Sequence, residues 1–209
     1  MVKCFFNWYG SEVQKSFIIQ TRPETVTEER IDIMKKSNSP FIYAKIGVES
    51  GSDKILNEVC NRKTKIKTII NSFDLLHKNS IKTSACFMVG FPYETREDIF
   101  KSINLCNRIK PDEVIVNIFQ PMPGQRLTDL CIKEGFLTGK EKLTNFTSRS
   151  ILRMPQISPE EILNLRRVFL LYAMLPKKYY EKIEKCEKDY DNNKSLYEEL
   201  VSLRWRLNK

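Results

Sequence analysis

A lone carboxylate closes an apolar run in the stretch Lys45-Ile46-Gly47-Val48-Glu49-Ser50-Gly51-Ser52-Asp53, and the backbone then turns into Lys54-Ile55-Leu56. The pattern reads as a strand, a sharp turn and the start of a helix. In parallel α/β architectures ligands gather outside the C-terminal ends of strands, so Glu49 stands where such a fold places its chemistry. Three other apolar runs end on residues of the same kind: Arg22, the loop from Gly90 to Glu94, and the loop from Gln120 to Gly124. His77, the one histidine, follows a helical stripe directly and reads as a dipole-compensating residue with no catalytic part.

The elements that must position these exits follow from periodicity. Short continuous apolar runs over 16–21, 41–48, 82–89 and 114–119 have the pattern of strands buried on both faces. Between them lie helical signals. Thr25 with Glu28 offers a capping box for a helix reaching about Lys36, and Asp53 offers an N-cap for a short helix through Ile55, Leu56 and Val59. Ile66, Ile69, Ile70, Phe73 and Leu76 form an amphipathic stripe, and Thr95 with Asp98 caps a helix carrying Ile99, Ile103, Cys106 and Ile109. Strands alternating with helices call for a parallel sheet with right-handed crossovers, which brings all four exits to one edge. The expected fold is α/β, a partial parallel (β/α) barrel of about four βα units over 1–135. A further short helix, 127–133, closes it. A polar connector follows over 136–157, and a helical C-terminal extension fills 158–209, opened by Ser158-Pro159-Glu160-Glu161.

The bulk properties exclude several classes. Charged residues make up 29% and hydrophobic ones 41% of 209 residues, the balance of a folded globular chain. No apolar run approaches a membrane span and the first residues lack a signal-peptide core, which reads as a cytoplasmic protein with no membrane partner. The formal charge of +9 is spread without a dense basic block, and this weighs against nucleic acid as a partner. Cys4, Cys60, Cys86, Cys106, Cys131 and Cys186 are scattered, with no pair at metal-finger or redox spacing.

Ile46-Gly47-Val48-Glu49-Ser50-Gly51-Ser52-Asp53, then Phe87-Met88-Val89-Gly90-Phe91-Pro92-Tyr93-Glu94-Thr95, then Phe119-Gln120-Pro121-Met122-Pro123-Gly124 together resemble the radical S-adenosylmethionine superfamily, most closely the branch whose members often carry a cobalamin-binding domain. The resemblance runs from about Phe17 to Gly135 and implies strands three to six of a (β/α)6 barrel. It implies S-adenosylmethionine as cofactor, cleaved reductively to a 5′-deoxyadenosyl radical at a [4Fe-4S] cluster, with cobalamin a further candidate in the parent enzyme. On that mapping Glu49, with Ser50 beside it, would accept from the ribose hydroxyls, as an ionised carboxylate can. Gly90 would let the backbone approach the adenine, with Met88 and Phe91 as an apolar wall. Gln120 and Pro121 would close the adenine side, and Arg22 would face the methionine carboxylate or the substrate.

The chain departs from the family in one respect. The family's cluster cysteines are spaced C-x3-C-x2-C, and nothing in this sequence has that spacing. A cluster iron without thiolate ligands is not held, so the metal ligands are expected to come from elsewhere. The expectation is therefore the C-terminal portion of a radical enzyme, completed by a missing N-terminal half or a split-gene partner chain. The alternative is a degenerate half-barrel that pairs its open edge with another chain or with its own copy. An unrelated α/β module binding RNA is the third reading.

Overall fold

The computed structural model describes residues 2–13, 15–37, 39–143 and 145–207. Four strands, β1 (Phe17–Thr21), β2 (Ile42–Glu49), β3 (Lys82–Val89) and β4 (Glu113–Ile118), form one sheet in the order β1-β2-β3-β4, with every neighbouring pair parallel. Helices α2 (Glu28–Lys35), α3 (Ile66–Lys78) and α4 (Arg96–Ile109) make the three crossovers. This is the βα alternation of the sequence, and all four strand exits lie at one edge. Ahead of it a short helix, α1 (Val2–Trp8), packs Phe6 against Phe17 with ring centroids 5.2 Å apart. Its run of aromatic residues is too short to show a helical period.

Two helix starts differ from the expected ones. Pro23 begins a 3-10 turn that holds Thr25, whose hydroxyl donates back to the Arg22 carbonyl at 2.8 Å. The cap of α2 is consequently Thr27, which accepts from the Arg30 amide. Asp53 does not cap the helix it precedes. That segment, Ile55–Val59, is π-helical, and the Asp53 carboxylate reaches forward to the Ile66 amide at the start of α3, 3.4 Å away. The Thr95–Asp98 capping box of α4 forms as the sequence predicts.

One face of the sheet is packed and the other is not. Ala44, Ile46 and Val48 of β2 and Ala85, Phe87 and Val89 of β3 are buried with the helices, whereas the alternate residues Tyr43, Lys45, Cys86 and Met88 are half-exposed. Parallel sheets are ordinarily covered on both faces. The edges also differ. At β4, Arg166 donates to the Val116 carbonyl and the Phe146 carbonyl accepts from the Ile118 amide at 2.6 Å. At β1, no strand among the described residues pairs on the outer side, and Ile18 is 67% exposed.

Beyond β4 come α5 (Arg126–Lys133), an irregular segment, and the helices α6 (Pro159–Met174), α7 (Tyr180–Lys188) and α8 (Lys194–Leu207). The irregular segment is apolar where it counts: Leu152, Met154 and Ile157 are buried. Helix α6 carries Ser158 as its cap, with Pro159 at the first position, and buries Leu165, Val168 and Phe169 against α4 and β4. One hydrophobic core thus runs from the sheet into the C-terminal helices. No helix among the described residues is long and apolar enough to cross a membrane.

The turn after β2 is tied to α4 by close backbone approach. A Cβ on Gly51 would lie 2.4 Å from the Lys101 carbonyl oxygen and 2.6 Å from Ser102 Cα, so only glycine lets the turn and the helix meet. Gly51→Ala must push α4 outward, and we expect it to destabilise the fold by roughly 2–3 kcal/mol in urea denaturation. A loss below about 0.5 kcal/mol, the scale of an ordinary surface change, would show that the contact is not tight.

Candidate functional site

Glu49 ends β2 in an unfavourable backbone conformation. Its φ is +67°, and the Ser50 amide donates to the Val48 carbonyl at 3.0 Å, closing a three-residue turn centred on the glutamate. This form of turn is rare and strained, and such residues persist only where their surroundings over-determine them. The surroundings here are hydroxyl-rich. The Gly51 amide donates to Ser102 Oγ at 2.7 Å, the Ser52 amide donates to Ser50 Oγ at 3.2 Å, and Ser52 Oγ donates to Asp98 Oδ1 at 2.8 Å. Asp98 also accepts from Lys101. Burial works against its ionisation, but Lys101, Ser52 and Thr95 hold its carboxyl below the ordinary range.

The Glu49 side chain is 22% exposed and pairs with a residue that the sequence did not single out. Arg62 Nη1 donates to Glu49 Oε1 at 2.7 Å, and Arg62 Nη2 donates to the Gly47 carbonyl at 3.0 Å. Gly47 leaves room for this, since a Cβ there would lie 3.0 Å from Glu49 Oε1. Burial raises the Glu49 carboxyl above its ordinary value, with Arg62 and then Arg22 pulling the other way. Oε2 makes no hydrogen bond or ion pair among the described residues, so the carboxylate keeps acceptor capacity. Arg22 is exposed at the end of β1, with Nη2 3.4 Å from the Arg62 carbonyl and 3.7 Å from Glu24. Arg22, Arg62 and Glu49 therefore form one charged group across the exits of β1 and β2.

At the β3 exit the arrangement is internal. Glu94 is fully buried, and its Oε2 accepts from the amides of both Gly90 and Phe91. Burial pushes its carboxyl up to about 8, against those two donors, and Oε1 has no hydrogen-bond partner among the described residues. Gly90 has φ +82°, and the space beside it is taken by Ile162, whose Cγ2 would lie 3.1 Å from a Cβ. Phe91 is buried against Phe119 at 5.3 Å, while Gln120 and Pro121 are buried behind them. Ser50 is wholly buried, its hydroxyl 3.3 Å from that of Ser102. Of the eight residues expected at the site, Glu49, Arg22 and Met88 reach the accessible surface, and the other five form the layer beneath.

The two residues missed by sequence reasoning have different reasons. Arg62 lies thirteen positions past Glu49, in a segment where Asn61 and Lys63 both have positive φ, and no local pattern links it to a strand tip. Glu94 sits inside a loop that the sequence did mark, but its burial is a tertiary fact. A half-buried carboxylate with an open oxygen at a strand end fits a vicinal diol such as a ribose. The donor set for an iron-sulfur cluster does not fit: no three Cys, His, Asp or Glu gather among the described residues. A cavity of about 700 Å³ lies at the opposite end of the sheet between Cys106, Val114, Leu170 and Trp205. Because Glu94 binds its proton more tightly in the fold than at its ordinary 4.5, its contribution to stability is complete below that value and is lost as pH rises through about 8. Stability of the wild type should therefore fall by about 1 kcal/mol per pH unit from about pH 6 to 8 relative to Glu94→Gln, read from urea midpoints. Parallel profiles would contradict the assignment.

Comparison with known proteins bears on the family to which this fold is similar. Residues 10–106 match the model of the Radical SAM superfamily. The chain is 25% identical to the "Uncharacterized methyltransferase PH0819" of Pyrococcus horikoshii over 163 residues, covering 78% of this chain and 35% of that protein. It is 32% identical over 118 residues to the tRNA-2-methylthio-N(6)-dimethylallyladenosine synthase of Ehrlichia ruminantium, covering 54% of this chain and 26% of that protein. It is 26% identical over 165 residues to the ribosomal protein uS12 methylthiotransferase RimO of Clostridioides difficile, covering 76% and 34%. The chain thus spans about a third or less of the length of these relatives. The stretch that carries the strained Glu49 turn and the first three strands is therefore similar to the Radical SAM superfamily.

Proposed function

We propose that this chain contributes the ribose and adenine side of an S-adenosylmethionine site, as the C-terminal portion of a radical S-adenosylmethionine enzyme. The observation that carries the reading is Glu49, a half-buried carboxylate held in a strained turn at a strand exit with one oxygen open. Glu49 accepts from the ribose hydroxyls, and Arg62 fixes the direction of its carboxylate through the shared oxygen. Met88 supplies apolar surface beside it, and Arg22 offers a cation for the methionine carboxylate. Gly90, Phe91, Gln120, Pro121 and Ser50 act from beneath by shaping the backbone.

In a complete enzyme, S-adenosylmethionine held by Glu49 and Arg22 together with a [4Fe-4S] cluster would supply radical chemistry, and none of the described residues of this chain would hold the cluster. The cluster cysteines then stand on a companion polypeptide or segment that adds strands at the open edge of β1, and this chain alone is not catalytic. The names of the relatives favour methyl or methylthio transfer as the parent reaction. A second reading, a non-catalytic half-barrel that binds a partner chain or its own copy, is favoured by the apolar exposure of Ile18 at the uncovered edge.

Calorimetry with S-adenosylhomocysteine separates the two. The first reading expects measurable binding, weakened by about 1–3 kcal/mol in Glu49→Ala. No binding by the folded wild type, or equal binding by the variant, removes the support for a ribose site. The second reading expects concentration-dependent association in sedimentation that Ile18→Lys abolishes, since a charge on an exposed edge strand opposes further pairing.

A further inference from the structure

Four contacts from the C-terminal helices and the segment before them converge on one place, the exit of β3 and the first turn of α4. Ile162 fills the space beside Gly90, and Gln156 Nε2 donates to the Glu94 carbonyl at 3.1 Å. Arg96, the first residue of α4, donates to Glu161 Oε1 at 3.2 Å and to both carboxylate oxygens of Glu187, with Nη2 at 3.0 Å from Oε2. Glu187 is 5% exposed and also accepts from the Tyr172 hydroxyl at 2.8 Å.

Apolar side chains would join α7 to α4 without desolvating a charge. A two-pronged guanidinium–carboxylate pair adds direction, because both partners are planar and the two hydrogen bonds fix their relative angle. The direction is passed on. Two residues after Arg96, Asp98 accepts from Ser52, and Ser102 on the same helix accepts from the Gly51 amide, so the pose of α4 sets the turn that holds Glu49. The same helix start is joined through Thr95 to the Gly90–Glu94 loop.

We propose that Glu187 and Arg96 are positioning residues for the ligand site: through them the C-terminal helices set the angle of α4, which holds the Glu49 turn and the Gly90–Glu94 loop in binding geometry. The inference rests on the reading of Glu49 as a ribose ligand, and one of its two readouts does not depend on that reading.

In the full chain, Glu187→Ala and Glu187→Gln are compared with wild type and with Glu199→Ala, which removes an exposed pair with Lys182 between α7 and α8. The first readout is amide hydrogen exchange at Gly51, Gly90 and Phe91 in the free protein. The second is affinity for S-adenosylhomocysteine. Glu187→Ala should speed exchange at all three amides and weaken binding about tenfold, with Glu187→Gln, which keeps the acceptor and the shape, closer to wild type and Glu199→Ala unchanged. A lowered melting temperature with exchange at those amides as in the wild type would assign Glu187 to stability alone and overturn the proposal. Failure of the wild type to bind the ligand would sink the ribose reading, and the exchange pattern would still decide the positioning claim. If Glu187→Ala does not fold, Arg96→Lys decides, since it keeps the charge but cannot make the two-pronged pair: wild-type exchange rates at the three amides would reject the role.

Discussion

The structure depends on the grip of α4 on the turn that follows β2. Glu49 occupies a left-handed conformation that a residue with a side chain resists by of order 1–2 kcal/mol, and within the turn a single hydrogen bond, from the Ser50 amide to the Val48 carbonyl, works against this. The compensation comes from outside: the Gly51 amide on Ser102, the Ser52 hydroxyl on Asp98, and a backbone approach too close for any residue but glycine at position 51. Arg62 completes the restraint by binding the carboxylate and the Gly47 carbonyl at once. A carboxylate held this firmly, yet with an oxygen left open, is pre-organised to accept a ligand.

The same sheet is finished at one end and open at the other. Arg166, the Phe146 carbonyl and α6 close β4, so the C-terminal helices complete the fold on that side and share its core. At β1 the apolar Ile18 lies exposed on a strand with no outer partner among the described residues, and the half-exposed face beside it carries Tyr43, Lys45, Cys86 and Met88. An edge of this kind is a template for further strands. That asymmetry agrees with the proposal that this chain provides one side of a site.

Much of this was legible in the sequence, because the physics that writes it is local. Continuous apolar runs gave the four strands, the stripe from Ile66 to Leu76 gave α3, and the reciprocal caps of Thr95 and Asp98 gave the start of α4. That the sheet is parallel followed from alternation, and the sequential order of its strands from the resemblance to a (β/α) barrel. What could not be read was set by distant contacts. Thr25 lost its expected cap to a turn imposed by Pro23, and Asp53 turned to a helix thirteen residues ahead. Ser50 looked like part of the site by adjacency to Glu49, yet its hydroxyl is spent on Ser102, fifty-two positions away. Arg62 and the burial of Glu94 had no signal in the chain, since each acquires its meaning only when two exits meet. The C-terminal helices showed no chemical motif, and their Glu187 matters here through Arg96 rather than through any pattern of its own.

The account turns on whether the accessible residues at the β1 to β3 exits receive an adenosyl ligand. Chemical-shift mapping of the isotope-labelled chain during titration with S-adenosylhomocysteine tests this most directly. The account predicts that the resonances that move first and furthest belong to Gly47, Glu49, Arg62 and Met88. Shifts confined to the cavity at the opposite end of the sheet, around Val114 and Trp205, or no shifts at all, would contradict it.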